Sequence, residues 1–266
     1  MDRDFQGGRI VDDSYSVVIP TWNEAEWLPG LLANLRSFKE VGEIIVADNS
    51  SRDCTVDIAV SSNALVISGG LPAVARNNGV AAAKNNLVLL IDADAAIPRR
   101  VIDLINQKFL ENERTALIHF RIAPISGGRL VGLCYRIMDE YFWLTGKIGK
   151  PQGVGTFMAV RKECFCAVGG FDERVRVGED ADLVRRIKRI GDVEYVRSVA
   201  VGTSIRRFRV ENPTIFVLKT VAWGILRFAG LRFSVGSYRW KRYPEGSGKR
   251  DRRHYAEYLR GWDEMR

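Results

Sequence analysis

The sequence is poor in the residues that form disulfide frameworks and zinc sites. It has four cysteines and two histidines among 266 residues, and the cysteines lack the paired C-x-x-C spacing of a structural zinc site. A nitrogen–sulfur metal centre is therefore poorly supplied, and a chain of this length can bury a sizeable core without disulfides. We expect a reducing, cytoplasmic environment.

Long apolar runs are also lacking. No uncharged apolar stretch reaches the roughly 18 residues that a membrane-spanning helix requires. The longest candidate, residues 214–231, is interrupted by Lys219 and Arg227, and residues 1–13 are polar and acidic rather than signal-like. The sequence therefore predicts neither a spanning segment nor a secretory signal.

The charge of the chain is concentrated near its end. Residues 1–204 hold 25 Lys/Arg against 26 Asp/Glu, whereas residues 205–266 hold 15 against 6, a balance of +9. The chain is 46% hydrophobic and 27% charged, which is typical of a globular protein. We expect one continuous domain over residues 1–204, followed by a basic segment over 205–266.

Short apolar runs alternate with segments of helical spacing, which indicates an α/β fold. The runs are apolar on both faces, as expected for buried strands of a parallel sheet. They cover residues 16–19, 43–47, 65–67 and 87–91. Parallel α/β sheets bind ligands at the carboxyl ends of their strands, so the residues that follow these runs are candidate site residues.

Polar residues follow three of the four predicted strands. The first strand runs into residues 20–24, the second into residues 48–55, and the fourth into Asp92 and Asp94. Several of these residues also suit helix N-caps. Either role, capping or ligand binding, is open for each residue taken alone.

The Asp-x-Asp pattern occurs three times, at residues 2–4, 92–94 and 180–182. Only the second follows five consecutive apolar residues, so its two carboxylates emerge from the interior of the sheet. A bound cation would offset their mutual repulsion there. Hard oxygen ligands of this kind suit Mg²⁺ or Mn²⁺, which also bind substrate phosphates.

Six segments occur in an order that resembles glycosyltransferase family 2, the inverting GT-A enzymes that use nucleotide-diphosphate sugars. They are residues 18–24, 45–55, 75–79, 90–94, 169–173 and 178–183. The resemblance implies a GT-A fold over residues 1–204, with a Rossmann-like, mostly parallel sheet flanked by helices. A C-terminal apolar helix and a basic tail follow over residues 205–266.

The resemblance also implies a nucleotide-sugar site that binds Mn²⁺ or Mg²⁺. Asp94 would be the direct metal ligand, Asp92 would lie near the ribose, and Arg76 near the diphosphate. The full predicted donor site comprises Pro20, Thr21, Asn23, Glu24, Asp48, Arg76, Asp92 and Asp94.

On the acceptor side, the resemblance places the catalytic base at Asp180, with Glu179, Gly169 and Gly170 nearby. A carboxylate at this position would take the proton of an acceptor hydroxyl. The alternative is that Glu179 only favours a helix N-terminus and that the two glycines only shape a turn.

Two other functions were weighed against glycosyl transfer. A sugar-1-phosphate nucleotidyltransferase would carry a G-x-G-T-R loop after its first strand, which residues 20–24 do not match. A nucleic-acid-binding protein would use the basic, aromatic tail, but the ordered motifs of the body would remain unexplained. We therefore expect a nucleotide-sugar donor and a lipid-linked or saccharide acceptor, and the sequence disfavours nucleic acid.

The apolar helix predicted within residues 214–231 has two interpretations. It could dock on the domain, or it could lie in an anionic membrane surface, supported by the basic residues around it. The second interpretation predicts a protein that is peripheral on the cytosolic face of a membrane.

Overall fold

The computed structural model describes residues 14–153, 155–175, 178–210 and 249–263, together with five positions between 212 and 222. The strands are β1 Tyr15–Thr21, β2 Val41–Asp48, β3 Leu65–Ser68, β4 Leu87–Ile91, β5 Ala95–Ala96, β6 Thr115–Pro124, β7 Phe157–Arg161 and β8 Asp192–Thr203. The helices are α1 Leu28–Arg36, α2 Thr55–Ser61, α3 Pro72–Ala82, α4 Arg99–Glu111, α5 Arg129–Lys147, α6 Lys162–Ala167, α7 Glu179–Ile187, α8 Arg206–Val210 and α9 Lys249–Asp263.

The strands form one eight-stranded sheet in the order β3-β2-β1-β4-β7-β6-β8-β5. Strands β1 to β4 are parallel to one another, as the four apolar runs predict. Strand β7 runs antiparallel to both β4 and β6, and β6 pairs with β8 in parallel. The prediction of an α/β, mostly parallel sheet flanked by helices is confirmed.

The apolar core lies on both faces of the sheet, which is why the strands read as continuous hydrophobic runs. Val17 and Ile19 of β1 pack into the cluster that includes α1 and α4, and Val18 packs on the opposite face. A Cβ atom on Gly79 would lie 2.1 Å from Val18 Cγ1. Helix α3 can therefore lie this close to β1 only with glycine at position 79.

The topology brings several chain segments to one edge of the sheet. Thr21 at the end of β1 is the register partner of Asp48 at the end of β2. Because β7 runs antiparallel to β4, the residues before Phe157 lie beside Ile91 at the end of β4. The end of β8 reaches the same region through the pairing of Thr203 with Ala95, just after the second Asp-x-Asp motif.

Residues beyond 204 take part in this packing. The Tyr255 hydroxyl of α9 donates to the carbonyl oxygen of Ala95 at 2.9 Å, and the Tyr258 hydroxyl donates to that of Ala200 at 3.0 Å. Most of the apolar helix predicted over residues 214–231 lies outside the described residues, so its docking and the domain boundary at 204 stay predictions. Among the described helices, none is long and apolar enough to cross a bilayer.

Candidate active site

The loops after β1 and β2 are joined by hydrogen bonds to one carboxylate. The Thr21 hydroxyl donates to Asp48 Oδ1 at 2.8 Å, and the Ser51 amide donates to Asp48 Oδ2 at 2.8 Å. The Ser51 hydroxyl also donates to Oδ1, at 2.6 Å. Pro20 lies one residue before Thr21 in β1. The structure therefore brings these predicted donor-site residues together at the carboxyl edge of the sheet.

Asn23 has a structural role in the same loops. Its backbone φ is 56°, in the left-handed region that asparagine tolerates better than most residues. Its side-chain carbonyl accepts a hydrogen bond from the Arg52 backbone amide at 2.8 Å, and its backbone amide donates to the Ser51 hydroxyl at 2.8 Å. These contacts fix the loop, and a contact of Asn23 with a nucleotide stays a prediction.

Glu24 and Asp94 share one arginine, which the sequence analysis did not identify. Arg206 donates two hydrogen bonds to the Glu24 carboxylate, at 2.7 and 2.8 Å, and its Nε lies 3.1 Å from Asp94 Oδ2. The Ser204 hydroxyl also donates to Asp94 Oδ2. Burial raises the pKa of Glu24 to about 7, although Arg206 opposes the shift.

A second buried arginine gathers the remaining acidic residues. Arg76 is 4% exposed, and its guanidinium lies 2.7 Å from Asp92 Oδ1 and 3.5 Å from Asp180 Oδ1. Glu179 lies 4.0 Å from the same group, and the ring of Phe171 lies 5.5 Å from it. Arg76 thus faces three carboxylates, and the charge of Arg207 also acts on Asp180.

The electrostatics of Asp180 suit a group that exchanges a proton near neutral pH. Burial raises its pKa to about 6, and the neighbouring Glu179 carboxylate raises it as well. Arg76 and a backbone hydrogen bond from Gly155 oppose this shift. Asp180 lies in the first turn of α7, where the helix dipole favours negative charge.

The loop before β7 contacts this cluster through glycine. A Cβ atom on Gly155 would lie 2.6 Å from Asp180 Oδ2 and 2.9 Å from Arg76 Nη2. The Gly155 carbonyl oxygen accepts a hydrogen bond from Arg76 at 3.0 Å. Only glycine therefore allows the loop this close to both charged groups, a constraint that arises from tertiary contact.

Gly169 and Gly170 form a turn that positions Phe171. Both have positive φ, 77° and 66°, and a Cβ atom on Gly170 would lie 2.6 Å from Asn77 Oδ1. Asn77 in turn bonds both the amide and the carbonyl oxygen of Phe171, at 2.9 and 3.0 Å. The turn thus places the Phe171 ring against Arg76, and a direct role toward an acceptor stays a prediction.

The sequence family described as Glycosyl transferase family 2 matches residues 16–168, which is more than half of the chain. This chain belongs to glycosyl transferase family 2. The matched range includes the two loops around Asp48, the arginine at position 76 and the Asp-x-Asp motif at residues 92–94. The resemblance inferred from six sequence segments is confirmed, and family membership favours glycosyl transfer over the sugar-1-phosphate nucleotidyltransferase alternative.

Individual relatives in glycosyl transferase family 2 are distant. The pre-mycofactocin glycosyltransferase of two Mycobacterium tuberculosis strains is 28% identical over 191 residues, which cover 66% of this chain and 39% of the relative. The chain therefore spans well under half the length of these curated relatives.

Solved structures share the fold at lower identity. Glucosyl-3-phosphoglycerate synthase from Mycobacterium tuberculosis, in complex with phosphoglyceric acid, is 20% identical with a TM-score of 0.60, covering 85% of this chain and 86% of that chain. The same synthase in complex with Mn²⁺ and uridine-diphosphate-glucose is 20% identical with a TM-score of 0.59, covering 88% and 86%. These likenesses confirm the predicted GT-A fold.

The residues of this glycosyl transferase family 2 member fit a divalent cation that takes most of its ligands from substrate. Among the described residues, no group of three or more His, Cys, Asp or Glu side chains is arranged to hold a metal ion. Asp94 is the carboxylate predicted to bind the ion and contacts Arg206 and Ser204, while Asp92 contacts Arg76. Mg²⁺ is commonly held by only one or two carboxylates together with phosphate oxygens and water, so this donor set suits such an ion.

Proposed function

We propose that this protein transfers a sugar from a nucleotide-diphosphate sugar to an acceptor, with inversion at the anomeric carbon and with help from Mn²⁺ or Mg²⁺. The observation that carries the proposal is the cluster in which Arg76 contacts both Asp92 and Asp180. It joins the predicted donor side to the predicted base within one buried group. Membership of glycosyl transferase family 2 supports this reading.

On the donor side, Thr21 and Asp48 provide polar groups for the nucleoside at the ends of β1 and β2. Arg76 and Arg206 are cations that directly contact carboxylates of the site. Asp94 would hold the metal, which when bound would neutralise charge on the diphosphate leaving group. A solved relative of the same fold carries Mn²⁺ with uridine-diphosphate-glucose in its complex, which supports this choice of donor and ion.

Arg206 has a defined part in this proposal. Without a donor it contacts both Glu24 and Asp94. A diphosphate entering beside Asp94 brings negative charge to the same place, and the guanidinium can pair bidentately with phosphate oxygens. Arg206 would then shift its hydrogen bonds from the two carboxylates to the donor.

On the acceptor side, Asp180 acts as the general base. With its pKa raised to about 6 by burial, it is ionised at pH 7.5 yet more basic than an ordinary aspartate. A base of this kind removes the proton of an attacking hydroxyl in a single displacement, and a single displacement inverts the anomeric configuration.

The acceptor is a saccharide hydroxyl or a lipid phosphate, and the protein acts at the cytosolic face of a membrane. The charge of +9 over residues 205–266 supports this location, because basic clusters attract anionic headgroups. Most of the apolar stretch within that segment lies outside the described residues.

Two measurements test the proposed function. Thermal unfolding with a panel of nucleotide-diphosphate sugars, with and without Mn²⁺, should show stabilisation that requires both components. A ligand at 100 times its Kd adds about 2.7 kcal/mol. NMR of the first-formed product should then show the anomeric configuration opposite to that of the donor. Failure of every donor to stabilise the protein would refute the donor class, and retention would refute the single displacement.

A further inference from the structure

Helix α5 exposes a row of large apolar side chains. The row, called here the α5 stripe, continues onto the residue that follows the helix, and each member is between 45% and 56% exposed. Its members are Leu130, Leu133, Ile137, Leu144 and Ile148. A neighbouring side of α5 is buried against the sheet through Cys134, Tyr135, Met138 and Phe142. The helix is therefore apolar on two sides, and only one of them is covered by packing among the described residues.

The spacing of the α5 stripe places it on a single side of the helix. At about 100° per residue, its five members fall within an arc of about 60°. Residues 129–147 span about 28 Å at the rise of an α-helix, so the stripe forms a long, narrow apolar surface. Singly scattered exposed apolar residues are ordinary, but a contiguous set marks an interaction surface.

Basic side chains border the α5 stripe along one side. Arg129, Arg136 and Lys147 are exposed and fall within about 60° of it on the same helical projection. Glu140 is an exposed acid in this border, and it is paired with Arg197. Trp143 lies about 80° from the stripe on the side of this border, and the Lys147 ammonium lies 5.7 Å from its ring centroid.

We propose that the α5 stripe lies in the interfacial region of an anionic membrane. Leucine and isoleucine on one face, with arginine, lysine and tryptophan beside them, is the composition of helices that lie in the plane of a bilayer surface. A second copy of this chain suits the surface less well. A two-fold contact through the stripe would bring the basic border near its own counterpart, and like charges oppose such a contact.

The surface also lies close along the chain to the proposed base. Five residues, 148–152, separate Lys147, the last residue of α5, from Gly153, where a Cβ atom would lie 2.9 Å from the Asp180 carbonyl oxygen. Even fully extended, this segment spans about 20 Å. A bilayer against the α5 stripe would therefore lie near the acceptor side of the site. This link rests on the proposed function, whereas membrane binding by the stripe does not.

Flotation of the full-length chain with vesicles tests the proposal. Vesicles of equal parts phosphatidylglycerol and phosphatidylcholine should carry the wild-type protein at low salt. The double substitution Leu133→Glu with Ile137→Glu should lower the partition coefficient at least tenfold, since it places charges on the apolar surface that would enter the bilayer. Leu110→Glu is the matched control, because Leu110 is 69% exposed on α4 away from the stripe, and it should float like the wild type.

Hydrogen exchange gives a second measurement that separates the α5 stripe from the basic tail. Amides of residues 129–148 should gain protection when vesicles are added to the wild-type protein, and the tail alone would not produce this. Equal flotation of the double variant and the wild type, or no gain in protection over α5, would overturn the proposal. A wild-type dimer that the double variant loses, without flotation of either, would identify a second copy as the partner instead.

Donor binding distinguishes failure of this proposal from failure of the proposed function. Calorimetry with a nucleotide-diphosphate sugar and Mn²⁺ should give the same affinity for the wild type and the double variant, since the stripe lies outside the donor site. Flotation without donor binding would leave the membrane surface intact and remove the enzyme proposal. Donor binding without flotation would support the enzyme proposal and remove the membrane surface.

Discussion

Replacement of Asp180 by asparagine should separate sugar transfer from donor binding. The amide cannot accept the acceptor proton, so we expect transfer to fall roughly 10²- to 10⁴-fold, which corresponds to about 3 to 5 kcal/mol of transition-state stabilisation. The fold should persist, because Arg76 keeps its contacts with Asp92 at 2.7 Å and with the Gly155 carbonyl at 3.0 Å.

The pH dependence of the same reaction gives an independent measure. Because burial raises the pKa of Asp180 to about 6, wild-type transfer should rise with pH through that value and level off above it, as the carboxylate loses its proton. The residual activity of Asp180→Asn should lack this step. The initial rate of nucleotide-diphosphate release, measured from pH 5 to pH 8 at saturating donor, reports both effects.

Two neighbouring acids on α7 provide the controls. Asp182→Asn removes a carboxylate from the same helix that pairs with Arg186 at 2.8 Å rather than with Arg76, and it should retain near-normal transfer. Glu179→Gln tests the rival base. Near-normal transfer by Asp180→Asn, together with a large loss in Glu179→Gln, would refute the assignment of the base and move it to Glu179.

Three further predictions follow from the donor side of the site. Asp94→Asn should abolish the Mn²⁺ dependence of donor binding in calorimetry, and an unchanged dependence would contradict the metal assignment. Arg206→Gln should lower the free energy of unfolding by on the order of 3 kcal/mol, and by more at pH 9 than at pH 6. The loss of stability grows with pH because the pKa of Glu24, about 7, rises further without Arg206, so that ionising the buried carboxylate costs more. Denaturant titrations at pH 6 and pH 9 measure this difference. Gly155→Ala should reduce transfer at least tenfold, since its Cβ atom would lie 2.6 Å from Asp180 Oδ2; unchanged steady-state rates would show that the loop yields without cost.

Features encoded locally could be predicted from the sequence. Uninterrupted apolar runs identify β1 to β4, although β3 lies at the edge of the sheet with Leu65 47% exposed. Strands β1 and β4 are buried on both faces over most of their length, and β2 over about half of its length, and such strands have few polar positions. The partners Thr21 and Asp48 could be placed together in advance, since parallel strands end at a common edge. Asp92 and Asp94 stood out among three Asp-x-Asp pairs because only they follow such a strand.

Features that depend on distant segments could not be predicted in this way. Strands β6 and β8 pair in parallel over most of their length, although neither was assigned from the sequence. Their partners are supplied from far along the chain, and neither has the isolated apolar run that marks β4. Asn23 was predicted to bind nucleotide, and its observed hydrogen bonds depend on a loop about 30 residues away.

The charge balance of the site was decided by tertiary structure. By composition, Arg206 belongs to a basic run beyond the predicted domain boundary, and nothing in its neighbours distinguishes it from a solvated residue. Only the return of β8 to the end of β4 brings it to Glu24, 182 positions earlier in the chain. The sequence by itself determined the family, the parallel strands β1 to β4 and the acidic residues of the candidate site, because those are encoded in short ordered segments. Which cations neutralise them, and how closely glycine lets the backbone approach, follow from strand order and direction, which no single segment encodes.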